Sequence, residues 1–132
     1  MLIQISTQEG CRLMREWGVT EWPDDVPPSS QFWLFNDCGV FCVHNNEEGG
    51  IDGHMAMRKD ARRYSRQMCR EFIEKWGHFP IRVPIAEHRK HVKNVVLKMG
   101  GFVESPVDRV LMHDGTYENY FFLRRLPYGR DR

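Results

Sequence analysis

The stretch Ile51-Asp52-Gly53-His54-Met55-Ala56-Met57-Arg58-Lys59-Asp60-Ala61-Arg62-Arg63 decides the fold. Ile51 to Met57 reads as a strand, set off upstream by the turn-forming run Asn46-Glu47-Glu48-Gly49-Gly50. Gly53 inside it marks a bulge or a close approach by another group. Beyond Met57 the period changes. Ala61, Ser65, Met68, Cys69, Phe72, Ile73 and Trp76 recur at helical spacing. They predict a helix over Asp60–Trp76, with Asp60 as N-cap and Gly77 as stop. Phe79 to Ile85 then reads as a short apolar strand. The strand–helix–strand unit is long enough for a parallel, right-handed crossover.

Upstream, Leu2, Ile3 and Ile5 make a short strand. Ser6 and Glu9 have the spacing of a capping box, so a helix starts there. The run Pro23-Asp24-Asp25-Val26-Pro27-Pro28-Ser29-Ser30 is a loop, since its prolines exclude a helix or a central strand. Gln31–Asn36 and Val40–Asn45 read as hairpin partners about the turn Asp37-Cys38-Gly39. Downstream, His88, Val92, Val95, Val96 and Met99 share the face of a second helix, which Gly100-Gly101 stops. Val107–Met112 and Asn119–Leu126 are the last strands, joined by the turn His113-Asp114-Gly115-Thr116. The expectation is an α/β fold with a mixed, mainly antiparallel twisted sheet and flanking helices, in the order β-α-β-β-β-α-β-α-β-β. Residues 1–126 form one domain in this reading, and 127–132 a basic tail.

Composition narrows the function. The chain has 132 residues, 41% apolar and 12% aromatic, which excludes intrinsic disorder. A net charge of +1 argues against a non-specific nucleic-acid binder. No apolar run is long enough to cross a bilayer, and Met1-Leu2-Ile3-Gln4-Ile5-Ser6 lacks the parts of a signal peptide. Cys11, Cys38, Cys42 and Cys69 are too widely spaced for a disulfide scaffold and read as reduced thiols of a cytoplasmic protein. Cys42 and His44 share one side of a strand. Matching ligand pairs for zinc are missing, and neighbours two apart on a strand do not form a nucleophile–base pair. The aromatics Phe32, Trp33, Phe35, Tyr120, Phe121 and Phe122 suit a sheet covered on both faces, and also a homodimer interface.

In an open α/β sheet, ligands bind beyond the carboxyl ends of parallel strands. Here that place is the turn from Met57 to Arg66, and over the stretch from Arg58 to Arg70 the cations Arg58, Lys59, Arg62, Arg63, Arg66 and Arg70 are set against the single acid Asp60. Cations at a helix start oppose its dipole, but with free backbone N–H groups they make a receptor for a phosphorylated ligand. A solvated helix face is the simpler reading of the same arginines. His54, on the strand leading into this turn, has the ordinary pKa of a proton-transfer group near neutrality. His88 and His91 open the last helix near the same cleft.

The order of these elements resembles the GNAT superfamily of acyl-CoA-dependent N-acetyltransferases, in a compact form similar to GNAT-like proteins of tailed phages. The likeness runs from about Phe32 to Leu126. It is carried by Ile51–Met57, the basic turn Arg58–Arg63, Ile81-Arg82-Val83-Pro84-Ile85, and Val92–Glu104 with its Gly100-Gly101-Phe102 ending. The resemblance implies that the pyrophosphate of acetyl-CoA lies against Arg58, Ala61, Arg62, Arg63, Tyr64 and Ser65. It implies that the pantetheine arm follows the strand edge at Met55 and Met57, and that an amine or protein acceptor enters from the far side. His54, with His88, then serves as the base for direct attack of the amine on the thioester. The family's loop usually carries small residues where Ala61 and Arg63 stand. Its thiolate-protonating tyrosine falls at Val96, and the asparagine opening its last helix near Arg89. A second expectation follows: a GNAT-fold protein without chemistry, acting as a virion component or a host-protein-binding factor, in the host cytoplasm or the virion.

Overall fold

A computed structural model describes residues 1–112 and 114–127. Strand β1 (Leu2–Ile5) leads into helix α1 (Thr7–Glu16), and β2 (Gln31–Phe35), β3 (Gly39–Asn45) and β4 (Ile51–Met57) form an antiparallel meander. A 3-10 helix (Lys59–Tyr64) and α2 (Ser65–Trp76) cross over to β5 (Ile81–Ala86); α3 (Lys90–Lys98), β6 (Phe102–Glu104), β7 (Asp108–Leu111) and β8 (Tyr117–Arg125) complete the chain. The sheet order is β1-β2-β3-β4-β5-β8-β6, with β7 also on β8. Among the described residues only β4 and β5 are parallel, so the expected mixed, mainly antiparallel sheet is the observed one.

Alternation along the strands gives the sheet two faces. On one, Phe41, Val43, Ile51, Ile81, Val83, Ile85, Phe121 and Leu123 pack with Met68, Phe72 and Trp76 of α2 and Val96 of α3. The Phe41 and Phe72 rings lie 4.7 Å apart. Gly53 belongs here: a Cβ at that position would stand 2.9 Å from Phe72 Cζ. The close approach read from the sequence is thus a core ring. On the other face, Val40, Cys42 and Ala56 pack with Cys11, Leu13 and Met14 of α1. Ser6 caps α1 as its spacing predicts, its hydroxyl accepting from Glu9 N at 3.1 Å. Arg125, buried, donates to the carbonyls of Gly77 (3.3 Å) and Gly100 (3.4 Å), which ties the ends of α2 and α3 to β8.

Several expected boundaries move. The helix over Asp60–Trp76 is two pieces, and Asp60 does not cap it; its carboxylate accepts from Arg58 Nε at 3.1 Å inside the 3-10 turn. A six-residue 3-10 segment is too short for its period to be told from that of an α-helix by residue spacing alone. β5 starts at Ile81 rather than Phe79, because Phe79 N–H donates back to Trp76 O (3.0 Å), closing the turn before Pro80. β6, three residues long, was not expected. His113 and Tyr128–Arg132, hence nearly all of the expected tail, lie outside the described residues.

Candidate functional site

β4 and β5 pair only at Ile51↔Ile81 and Asp52↔Arg82. Beyond those positions they diverge, and the sheet carries a gap open toward their carboxyl ends. The vertex is fixed electrostatically. Arg82 donates to both oxygens of buried Asp52, at 2.7 and 2.9 Å, and reaches Glu47 at 2.6 Å. Arg124 on β8 holds Glu48 of the same turn at 2.7 Å. The Arg82 guanidinium keeps the Glu47 carboxyl down at about 2.

On one side of the gap lies a cavity of about 750 Å³, lined by Met55, Ala56, Met57, Arg58, Lys59, Asp60, Arg62 and Ser65, and by Arg89, His91, Val92 and Val95 of the α3 region. Arg58, Lys59, Arg62 and Arg89 face it with Glu16 and Asp60; Arg58 is bonded to Asp60 and Arg89 to Glu21. Burial, then the charges of Arg62 and Arg89, depress the His91 pKa, as expected for a ring inside a positive field. Two amides of the turn are committed: Arg58 N–H donates to Cys38 O (2.9 Å) and Ala61 N–H to Arg58 O (3.1 Å). Those two amides are not available to a ligand, whereas guanidinium and ammonium groups line the cavity.

The resemblance set is thus divided. Met55, Met57, Arg58, Arg62 and Ser65 line this cavity. Ala61 is buried in the core. Arg63 stacks on Tyr64, its guanidinium carbon 4.7 Å from the ring centroid, and both side chains lie outside the cavity wall. Arg89 and His91 join the wall instead. Their signal in the sequence was position at the start of α3, which faces the strand ends across the gap.

On the other side lies a second cavity of about 510 Å³, between β4, β5, β8 and the loop after α1. The two share Val19, Met55, Arg89 and Val92 as walls. His54 projects into the second one, half-buried, its ring 5.3 Å from that of Trp22 in an edge-on contact. His54 Nε2 is 3.0 Å from His44 Nε2. The proton positions follow from the neighbours. His44 Nδ1 is 3.0 Å from Asn45 O, a carbonyl, so Nδ1 must carry the hydrogen. In the neutral His44 ring Nε2 is then the acceptor, His54 Nε2–H the donor, and His54 Nδ1 keeps a lone pair. Burial, then the neighbouring His44, push the His54 pKa down to about 4, so the ring is neutral at physiological pH. His44 was legible as a strand-mate of Cys42 but not as the partner of His54. That link needs the register His44↔Asp52 and Cys42↔His54 about the 46–50 turn.

His44, Asp52 and His54 bring three ligand atoms within 4.8 Å of one another. Asp52 already accepts two bonds from Arg82 and one from Asn46 Nδ2 (3.1 Å), and a guanidinium beside it opposes a second cation. The cluster is therefore read as a proton-handling pair anchored at the cleft vertex. His88 stands outside both cavities, 60% exposed, with Nδ1 3.7 Å from Glu118. Burial drives the Cys42 thiol up to about 12, so it is protonated at neutral pH and no thiolate nucleophile faces the cavity. Val96, at the tyrosine position of the resemblance, is fully buried in the core.

No family model and no curated protein sequence matches the chain. Solved structures do. A spermidine N-acetyltransferase from Vibrio cholerae, in complex with CoA and spermine, superposes with a TM-score of 0.70 at 10% identity, covering 96% of this chain and 95% of that one. A chimera of the Vibrio cholerae enzyme and hSSAT gives 0.71 at 10% identity over 96% of both chains. A provisionally assigned phosphinothricin N-acetyltransferase gives 0.69 at 12% identity over 96% and 97%. These likenesses establish the GNAT fold of N-acetyltransferases for this chain. Among the described residues, no helix is long and apolar enough to cross a membrane.

Proposed function

We propose that the protein is an acyl-CoA-dependent N-acetyltransferase, moving an acetyl group from acetyl-CoA to an amine. One observation carries the reading: the parallel strand pair β4–β5 opens after two residue pairs into a gap, with a cationic cavity on one side and a neutral, half-buried histidine on the other. Arg58, Lys59, Arg62 and His91 would hold the phosphates, and Met55, Met57 and Val92 the pantetheine arm. Bound acetyl-CoA supplies an activated acyl carbon. The chain does the rest. The cleft walls exclude water and orient the amine for attack on the thioester carbon, and the C–S bond breaks with the electron pair leaving on sulfur. His54 Nδ1 takes the proton that the nitrogen sheds, and His44, fixed by Asn45, holds the ring in that tautomer. Cys42 forms no acyl-enzyme.

A binding-only reading is favoured by a separate observation. Buried Val96 offers no proton to a departing thiolate, and the loop amides of Arg58 and Ala61 are spent. In that reading the protein binds CoA or a protein partner without turnover, and a virion or host-binding role belongs there. Mass spectrometry of amines incubated with acetyl-CoA and the full chain separates the two. Acetylated product that falls at least about a hundredfold with His54→Phe supports the transferase. CoA binding without product from any primary amine overturns it in favour of the second reading.

A further inference from the structure

The acceptor cavity specifies what kind of amine it takes. Its walls include the apolar and aromatic side chains of Trp22, Val26, Val110, Leu111, Tyr120 and Phe122. Among its described lining residues the acids are Glu21 and Asp52, and each is already neutralised. Glu21 accepts twice from Arg89 Nη2, at 2.9 and 3.1 Å. Asp52 accepts twice from Arg82. Glu118, further along β8, turns toward His88. A polyamine brought into this space would leave several ammonium groups facing guanidinium-saturated carboxylates and hydrocarbon, a costly burial. A ligand with one amino group at His54 and an apolar body along Trp22 and Phe122 faces no such penalty and removes apolar surface from water.

We infer that the acceptor is a monoamine carried on an uncharged, aromatic or bulky apolar body, and that polyamines are rejected. This rests on the transferase reading for the amine's fate, but the binding preference stands on the cavity alone. The test is isothermal titration of the full chain with 2-phenylethylamine and with spermidine, each with and without saturating CoA. The aromatic amine is expected to bind roughly tenfold or more tighter than spermidine. Val110→Glu, which adds an unpaired carboxylate at the half-buried rim, is expected to shrink or reverse that ratio. Spermidine binding as tightly as phenylethylamine, or neither amine binding, overturns the inference. Failure of CoA itself to bind instead removes the transferase reading, and the amine titrations without CoA still decide the acceptor class.

Discussion

Asp52 and Arg82 form the last parallel pair between β4 and β5, and their doubly hydrogen-bonded contact sits where the two strands part. The contact closes one end of the cleft and leaves the other open. It also anchors the turn carrying Glu47 and sets the strand from which His54 projects. Fold and candidate chemistry therefore meet at one ion pair.

Breaking that pair should cost stability out of proportion to its size. Asp52 is buried, and Asp52→Ala removes two hydrogen bonds from Arg82 and one from Asn46 Nδ2 while Arg82 keeps Glu47, at a cost of about 2 kcal/mol. Asp52→Leu combined with Arg82→Met removes both charges and should recover much of the loss. Urea denaturation of the two variants checks this; equal stability of Asp52→Ala and the wild type would contradict it.

The histidine pair gives a pH signature. The folded His54 pKa of about 4 lies below the ordinary 6.5, so between those values the unfolded chain binds the extra proton. Stability contributed by neutral His54 is full above about pH 6.5 and is lost as pH falls through about 4. The melting temperature should decline over that window, and less steeply in His54→Phe. The His54 ring resonance should titrate near 4, and His44→Phe should move it upward, because the neighbouring His44 helps depress it. A midpoint at 6.5 contradicts the arrangement.

The cysteines should be silent. All are buried and unpaired, and burial drives Cys42 and Cys69 up to about 12. Folded protein should resist a thiol reagent that labels all four cysteines in denaturant. Cys42→Ser should retain turnover; loss of turnover with an intact melting temperature would point to an acyl-cysteine route.

Much of this was legible in the sequence, and the misses share a cause. Ile51–Met57 was read at its observed bounds because a turn and a change of period mark both ends. Ser6 and Glu9 fixed α1 through a local hydrogen bond. What depended on distance along the chain was lost. Gly53 was open to a ligand until Phe72, nineteen residues on in the same numbering, proved to fill its space. Gly53→Ala should therefore cost about 1–3 kcal/mol by overpacking. The arginines of the turn read as one basic patch, yet Arg63 turns away to Tyr64 while Arg89 arrives from α3. His44 and His54 met only through hairpin register. Spacing reports neighbours on one element; a site assembled from four elements is set by the topology that brings them together.

The central claim is that the cationic side of the gap holds the phosphates of acetyl-CoA. Thermal unfolding of wild type and Arg62→Glu, each with millimolar acetyl-CoA, tests it most directly. The predicted result is a rise on the order of 5 °C in the wild type, abolished in Arg62→Glu. No rise in the wild type at millimolar acetyl-CoA, or an equal rise in both proteins, would contradict it.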